Sequence, residues 1–276
     1  MKPCKHALVL LSLLLSCARA PRGSTGLADP IAVTFSPLLG AAPLRCGQPA
    51  QLNGNTVELV DLRFYVHDLE LVDAHGAAVP VAFDEDGAFQ TARLALIDLE
   101  DGSAACRNGS PALHATIRGR TRRGAFTLLR GRLGVPFEMN HGDPAQDPPP
   151  LAPTAMQWSW LGGHTFLRFD VRLQGRPLSI HLGSYGCSGE IGHVQGCRWP
   201  NRPRFEVPLS GSPSASIGPI PFDLLPLLRA ALAAGPESRG CMGDPEAPGC
   251  VAVFAALGLS ARDGTAAGLV QGLGGR

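Results

Sequence analysis

Residues 56–71, TVELVDLRFYVHDLEL, alternate apolar and polar side chains over sixteen positions. Successive side chains of an extended backbone point to opposite sides, so this run makes a long strand with one face for a core. Leu62, Phe64, Val66 and Leu69 are its inward candidates. Shorter runs of the same kind cover Ile31–Phe35, Val79–Phe83, Ala92–Leu99, His114–Arg118, Ala125–Leu133, Met156–Trp160, Thr165–Leu173, Leu178–Leu182 and Arg204–Leu209. Asp84–Gly87 reads as a turn, Gly119 and Gly124 bracket another, and Gly162-Gly163 reads as the turn of a hairpin. Gly (34) and Pro (25) together exceed a fifth of the chain and follow no repeat period, which fits many turns between short strands. The pattern predicts a mainly β protein, an antiparallel β-sandwich or barrel, with short C-terminal helices over Pro221–Ala234 and Ala252–Leu259.

The N-terminus reads as an export signal. Lys2 and Lys5 precede a short apolar run, Ala7 to Leu15, too short to span a bilayer. Ala18-Arg19-Ala20 is a cleavage pattern, but Pro21 behind it disfavours the cut. Leu14-Leu15-Ser16-Cys17 resembles a bacterial lipobox with Cys17 as the lipidated residue, and is preferred over an incidental cysteine. The expected organisation is a signal peptide over 1–20, a linker over 21–30, a folded domain over 31–262 and a loose Gly/Ala-rich tail over 263–276. A periplasmic or outer-membrane-associated location follows, with contact to a membrane only through a lipid anchor. Net charge is +1, so no basic face for nucleic acid is expected.

Six further cysteines, Cys46, Cys106, Cys187, Cys197, Cys241 and Cys250, suit disulfides in an oxidising compartment. Cys187 with Cys197 and Cys241 with Cys250 each close a short loop, which leaves Cys46 with Cys106. Thiolate metal ligation is the rival, but no Cys-x-x-Cys spacing supports it.

No nucleophile elbow, phosphate loop or His-Glu-x-x-His motif is present, and the chain is read as non-enzymatic. Asn108-Gly-Ser110 matches a glycosylation sequon but reads as a turn. Asp84, Asp86, Asp98, Glu100 and Asp101 read as solvated loop carboxylates rather than a calcium site. Seven histidines follow the leader: His67, His75, His114, His141, His164, His181 and His193. A lone histidine is more often structural than ligating, but several gathered at a sheet edge make a metal site, because imidazole is a common neutral ligand. Trp158 and Trp160 would share a face of the Met156–Trp160 strand, which taken alone suits aromatic packing.

Several stretches, in order, resemble the MbnP family of exported copper-binding proteins, also described as the four-Cys, WxW-bearing partner of a metalloprotein pair. They are Leu62-Arg-Phe-Tyr65, Asp98 to Gly102 through Cys106, and Arg132 to Phe137 with Asn140-His141. Met156 to Phe169 with its Trp-Ser-Trp, His181 to Ser184 through Cys187, Pro200 to Pro203, and Cys241-Met to Leu259 complete the set. The resemblance implies a protein that binds Cu(I) with high affinity. It also implies a partner di-haem oxidase, related to MauG and bacterial cytochrome c peroxidases, that converts the first Trp of the motif to kynurenine. Here that residue would be Trp158, with Trp160 beside it.

The side-chain chemistry agrees. Indole nitrogen carries only an N–H donor and no free lone pair. Opening its five-membered ring leaves an aryl amine that can ligate copper, and imidazoles can complete a low-coordinate site. His141 and His181, inside matching motifs, are the first expected ligands, and His164 is next by its proximity to the hairpin. Met156 is either a soft thioether donor or a packing residue, and His67 stands where the resemblance leads us to expect a small polar residue. The competing reading is an exported structural or adhesive β-domain without a metal.

Overall fold

The computed structural model describes residues 28–107, 109–143, 145–210, 216–235 and 238–274. The leader, Cys17 and Asn108 lie outside the described residues.

The long alternating segment forms an 18-residue strand, Asn55–Val72, at the centre of the larger of two sheets. Across that sheet the order is Arg204–Pro208, Leu128–Leu133, Asn55–Val72, Gly163–Leu173, Arg176–Gly183, Gly240–Met242. The smaller sheet runs Ser216–Asp223, Ala28–Leu39, Thr116–Arg122, Ala82–Phe83. Most pairings are antiparallel; Ser216–Asp223 and Gly240–Met242 join their neighbours in parallel. The two sheets face each other across a core in which Phe35 and Phe222 of the small sheet meet Phe64 and Phe205 of the large one edge to face. Ring centroids 5.4–6.1 Å apart are in the favoured range for such pairs.

Leu62, Phe64, Val66 and Leu69 all lie in this core. The odd step from Val66 to Leu69 has a cause. Asp68 adopts φ 48°, and between Arg130 and Arg132 the neighbouring strand skips one residue of this strand. This is a β-bulge, which restores the inward face one residue later.

Of the two expected helices, the first is shorter, α2 at Leu225–Leu232, and the second begins four residues earlier, α3 at Pro248–Ala256; α1 at Phe137–Asn140 was not expected. Pro221–Asp223, expected to start a helix, instead end the strand Ser216–Asp223. Gly119, expected in a turn, lies within the strand Thr116–Arg122, where a Cβ would sit 2.5 Å from Ala82 O. The glycine marks a close strand approach, not a bend. The hairpin Tyr185–Glu190 with His193–Trp199 stands outside both sheets, and the sequence pattern did not predict it.

All three disulfides pair as the spacing suggested: Cys46–Cys106, Cys187–Cys197 and Cys241–Cys250. The C-terminal segment is not loose. Val270 and Leu273 are buried, and backbone bonds tie Val270 to Arg204, Gln271 to Ala256 and Gly274 to Pro221. Among the described residues no helix is long and apolar enough to cross a membrane.

Candidate metal centre

Trp158 occupies the three-residue strand Gln157–Ser159, which pairs with the start of Gly163–Leu173. Its indole lies against three glycines. A Cβ on Gly162 would be 2.5 Å from Trp158 Cδ1, one on Gly183 3.1 Å from Cγ and Cδ2, and one on Gly243 2.8 Å from Cζ2. At Gly162 and Gly243 a Cβ would force the indole to move, and at Gly183 it would be a tight contact, so the three glycines shape the slot that holds the ring. Trp160 does not share this setting. It falls in the turn after the strand and is 59% exposed. Met156 also parts from Trp158, being fully buried in a second cluster with Tyr65, Leu94, Leu96, Val135, Leu151 and Phe166.

His181 stands beside the indole, with ring centroids 6.4 Å apart. Its Nε2 is 2.8 Å from Asp170 Oδ1, and Asp170 in turn accepts from Arg168 Nε at 2.9 Å. Burial pushes the Asp170 carboxyl up, but the His181 hydrogen bond and Arg168 outweigh it and hold it below the ordinary carboxylate value. Donation from Nε2 to that carboxylate fixes the ring and leaves Nδ1 as the lone-pair atom, the usual way a ligating histidine is oriented. Arg168 also contacts Asp61 at 3.0 Å, and Asp61 pairs with Arg63. Asp98 and Glu100, expected as solvated carboxylates, are buried in this same network. Burial pushes the Asp98 carboxyl up to about 7.

Met242 is directly opposite His181 in the parallel pair of Gly240–Met242 with Arg176–Gly183. It is 54% exposed, and the Cys241–Cys250 disulfide anchors its strand to α3. The sequence reading passed over Met242; a thioether next to a paired cysteine and followed by the glycine that touches Trp158 was the available signal.

His141 follows α1 and is tied to the Trp158 hairpin through its neighbour Asn140. Asn140 Nδ2 donates to Gly162 O at 2.9 Å, and Asn140 Oδ1 accepts from the His164 N–H at 2.9 Å. Gly163 must be glycine, because it has φ 79° and a Cβ there would sit 2.0 Å from Asn140 O. Asn140 therefore pins His141 to the Trp158 hairpin, a positioning role the sequence reading did not assign. Burial and the nearby Arg202 guanidinium lower the His141 pKa, which keeps the ring neutral and its lone pair available. Its Nδ1 is buried without a hydrogen-bond partner among the described residues.

His164 goes elsewhere. Its ring is 1% exposed, 6.3 Å from the Tyr65 ring, with Nε2 3.1 Å from Asp147 Oδ2. Gln157 is its cross-strand neighbour, which places His164 on the opposite face of the hairpin from Trp158. His67 is also buried, with Nδ1 3.1 Å from Asp68 Oδ2.

The imidazole of His181 and the thioether of Met242, at paired positions on adjacent strands, are soft donors of the kind that suit Cu(I), while the unmodified indole beside His181 offers no lone pair. Fold and site together define a class: a disulfide-stapled β-sandwich with a tryptophan held in a glycine slot beside a histidine. The chain belongs to the MbnP family, whose model matches residues 28–242. Its structure is similar to that of MbnP from Methylosinus trichosporium, with a TM-score of 0.70 and 29% identity over 89% of this chain and 94% of that one. No curated protein matches the chain.

Proposed function

We propose that this chain is a non-catalytic, exported copper-binding protein serving copper homeostasis, whose Cu(I) site is completed by oxidation of Trp158 to kynurenine. The oxidant is a partner di-haem enzyme of the MauG and cytochrome c peroxidase type. The observation that carries the reading is the setting of Trp158, half-buried in its glycine slot beside His181, whose cross-strand partner is Met242. Kynurenine formation uses peroxide turned over by the di-haem enzyme: two equivalents break the Cγ–Cδ1 double bond, place one oxygen on each carbon and leave as two waters, after which hydrolysis removes Cδ1 as formate. Gly162 and Gly183 face those two carbons, so the new ketone and amine meet no side chain there. The aryl amine would join His181 and Met242, with His141 closing the site from the α1 side. His164, expected after His141 and His181 as a further ligand, is assigned instead to packing against Tyr65.

The three disulfides and the leader support a periplasmic or outer-membrane-associated location, with Cys17 as the lipid attachment point. Copper here is cargo, and its soft donor set favours the reduced ion.

Peptide mass spectrometry after coexpression with the di-haem partner tests the assignment. The oxidised residue is expected at Trp158 and not at Trp160, and Trp160→Phe should leave the modification in place. Oxidation confined to Trp160 would overturn the reading.

A further inference from the structure

The Cys187–Cys197 disulfide differs from the other two in its surroundings. Cys46, Cys106, Cys241 and Cys250 are all buried, whereas Cys187 and Cys197 are half-exposed. They are cross-strand partners in the one hairpin that belongs to neither sheet, so opening the bond removes no strand from the core. A third donor is already in place. His141 Nε2 is 3.6 Å from Cys197 Sγ, and the two sulfurs and a His141 ring nitrogen all lie within 4.8 Å of one another.

We propose that Cys187 and Cys197, once reduced, form with His141 a second Cu(I) site of two thiolates and one imidazole. Two sulfurs and a neutral nitrogen at this spacing suit a three-coordinate soft ion. The reductant is a dithiol of the exported thioredoxin-like class. Its thiolate attacks one sulfur, giving a mixed disulfide; its second thiol then displaces the remaining cysteine. The disulfide of this chain gains two electrons and two protons, and the dithiol leaves as a disulfide. Copper binding then releases the two thiol protons, and the His141 ring gives up its 3.3 Å contact with Asn140 Nδ2 for the metal. The site shares only His141 with the kynurenine reading and needs no change at Trp158. Because both sites draw on His141, reduction would set which of the two this imidazole serves.

The full chain, prepared without the di-haem partner so that Trp158 stays intact, tests this under anaerobic conditions. After mild dithiol treatment and removal of the dithiol, thiol titration should find the Cys187–Cys197 pair open while the buried Cys46–Cys106 and Cys241–Cys250 bonds remain closed. Competition against a Cu(I) chelator should then show one Cu(I) bound per chain with a thiolate-to-copper ultraviolet band, absent from the oxidised form. Alkylating the reduced protein, or replacing both residues (Cys187→Ser with Cys197→Ser), should abolish this binding. His141→Ala should weaken it by about tenfold or more without altering the thiol count. Equal copper binding by the reduced and oxidised protein would overturn the proposal, as would simultaneous opening of all three disulfides. Unchanged affinity in His141→Ala would remove the imidazole and overturn the three-donor site.

Discussion

Replacing Asn140 by alanine tests how the hairpin carrying Trp158 is held to α1. Asn140 is 1% exposed, and its amide makes two hydrogen bonds of 2.9 Å, one to Gly162 O and one from the His164 N–H. A typical buried hydrogen bond contributes about 1 kcal/mol net, and a buried polar group left without its partner costs about 1–3 kcal/mol. Alanine removes both bonds and strands a carbonyl and an amide beneath the loop. The expected loss is about 2–4 kcal/mol, read as a lowered urea midpoint with the disulfides intact. Gln146→Ala is the control, because that amide bonds to Asp143 at an exposed position. It should change stability by less than about 0.5 kcal/mol. If Asn140→Ala lost no more than the control, the junction would not be holding the hairpin, and the placement of His141 would need another explanation.

Three further outcomes follow from the same geometry. The Asp98 carboxyl, raised from 3.8 to about 7 mainly by burial, binds its proton more tightly in the folded chain than in the unfolded one. Its contribution is therefore full below pH 4 and lost as pH rises to 7. The slope is worth at most about 4 kcal/mol, and Asp98→Asn should flatten it in denaturation curves taken across that window; an unaltered slope would refute the assignment. Gly243→Ala places a methyl 2.8 Å from Trp158 Cζ2 at φ 73°, so the emission of Trp158 should shift and copper binding should weaken, whereas Gly196→Ala, with open space around it and no positive φ, should leave both unchanged. Asp170→Asn removes the carboxylate that orients His181, and copper affinity in the oxidised protein should fall about 10–100-fold; an unchanged affinity would mean that His181 does not ligate.

Much of the sandwich was legible because period-two alternation is a direct consequence of strand geometry. The long strand, its inward residues and the disulfide pairing follow from local pattern and loop length. What pattern could not show was long-range contact. Only the end of the strand Ser216–Asp223, from Pro221, falls in the expected helix, and its beginning carries no strand signal, because Pro219 and Pro221 obscure the alternation and the pairing partner is far away in sequence. The C-terminal segment looked loose because glycine and alanine carry little periodic signal, yet Val270 and Leu273 are enough to pack it. His181 and Trp158 stand in the motifs that carry the resemblance, and the structure sets their rings 6.4 Å apart. Met242 and Asn140 were not given roles, since each matters through what it faces: His181 across a parallel pair, and Gly162 beyond a long loop. His164 was expected by nearness in sequence, but its pairing with Gln157 turns it to the other face.

The central claim is that copper binding depends on a chemically altered Trp158. It is tested most directly by measuring Cu(I) affinity, with the disulfides intact, on two preparations of this chain: one coexpressed with the di-haem oxidase and one without it. Intact-protein mass spectrometry reports the state of Trp158 in each sample. The account predicts one tightly held Cu(I) in the oxidised protein and at least about a hundredfold weaker binding in the unmodified one, where the site is short of a donor. Equal affinity in the two, with Trp158 shown to be intact in the second, would contradict it.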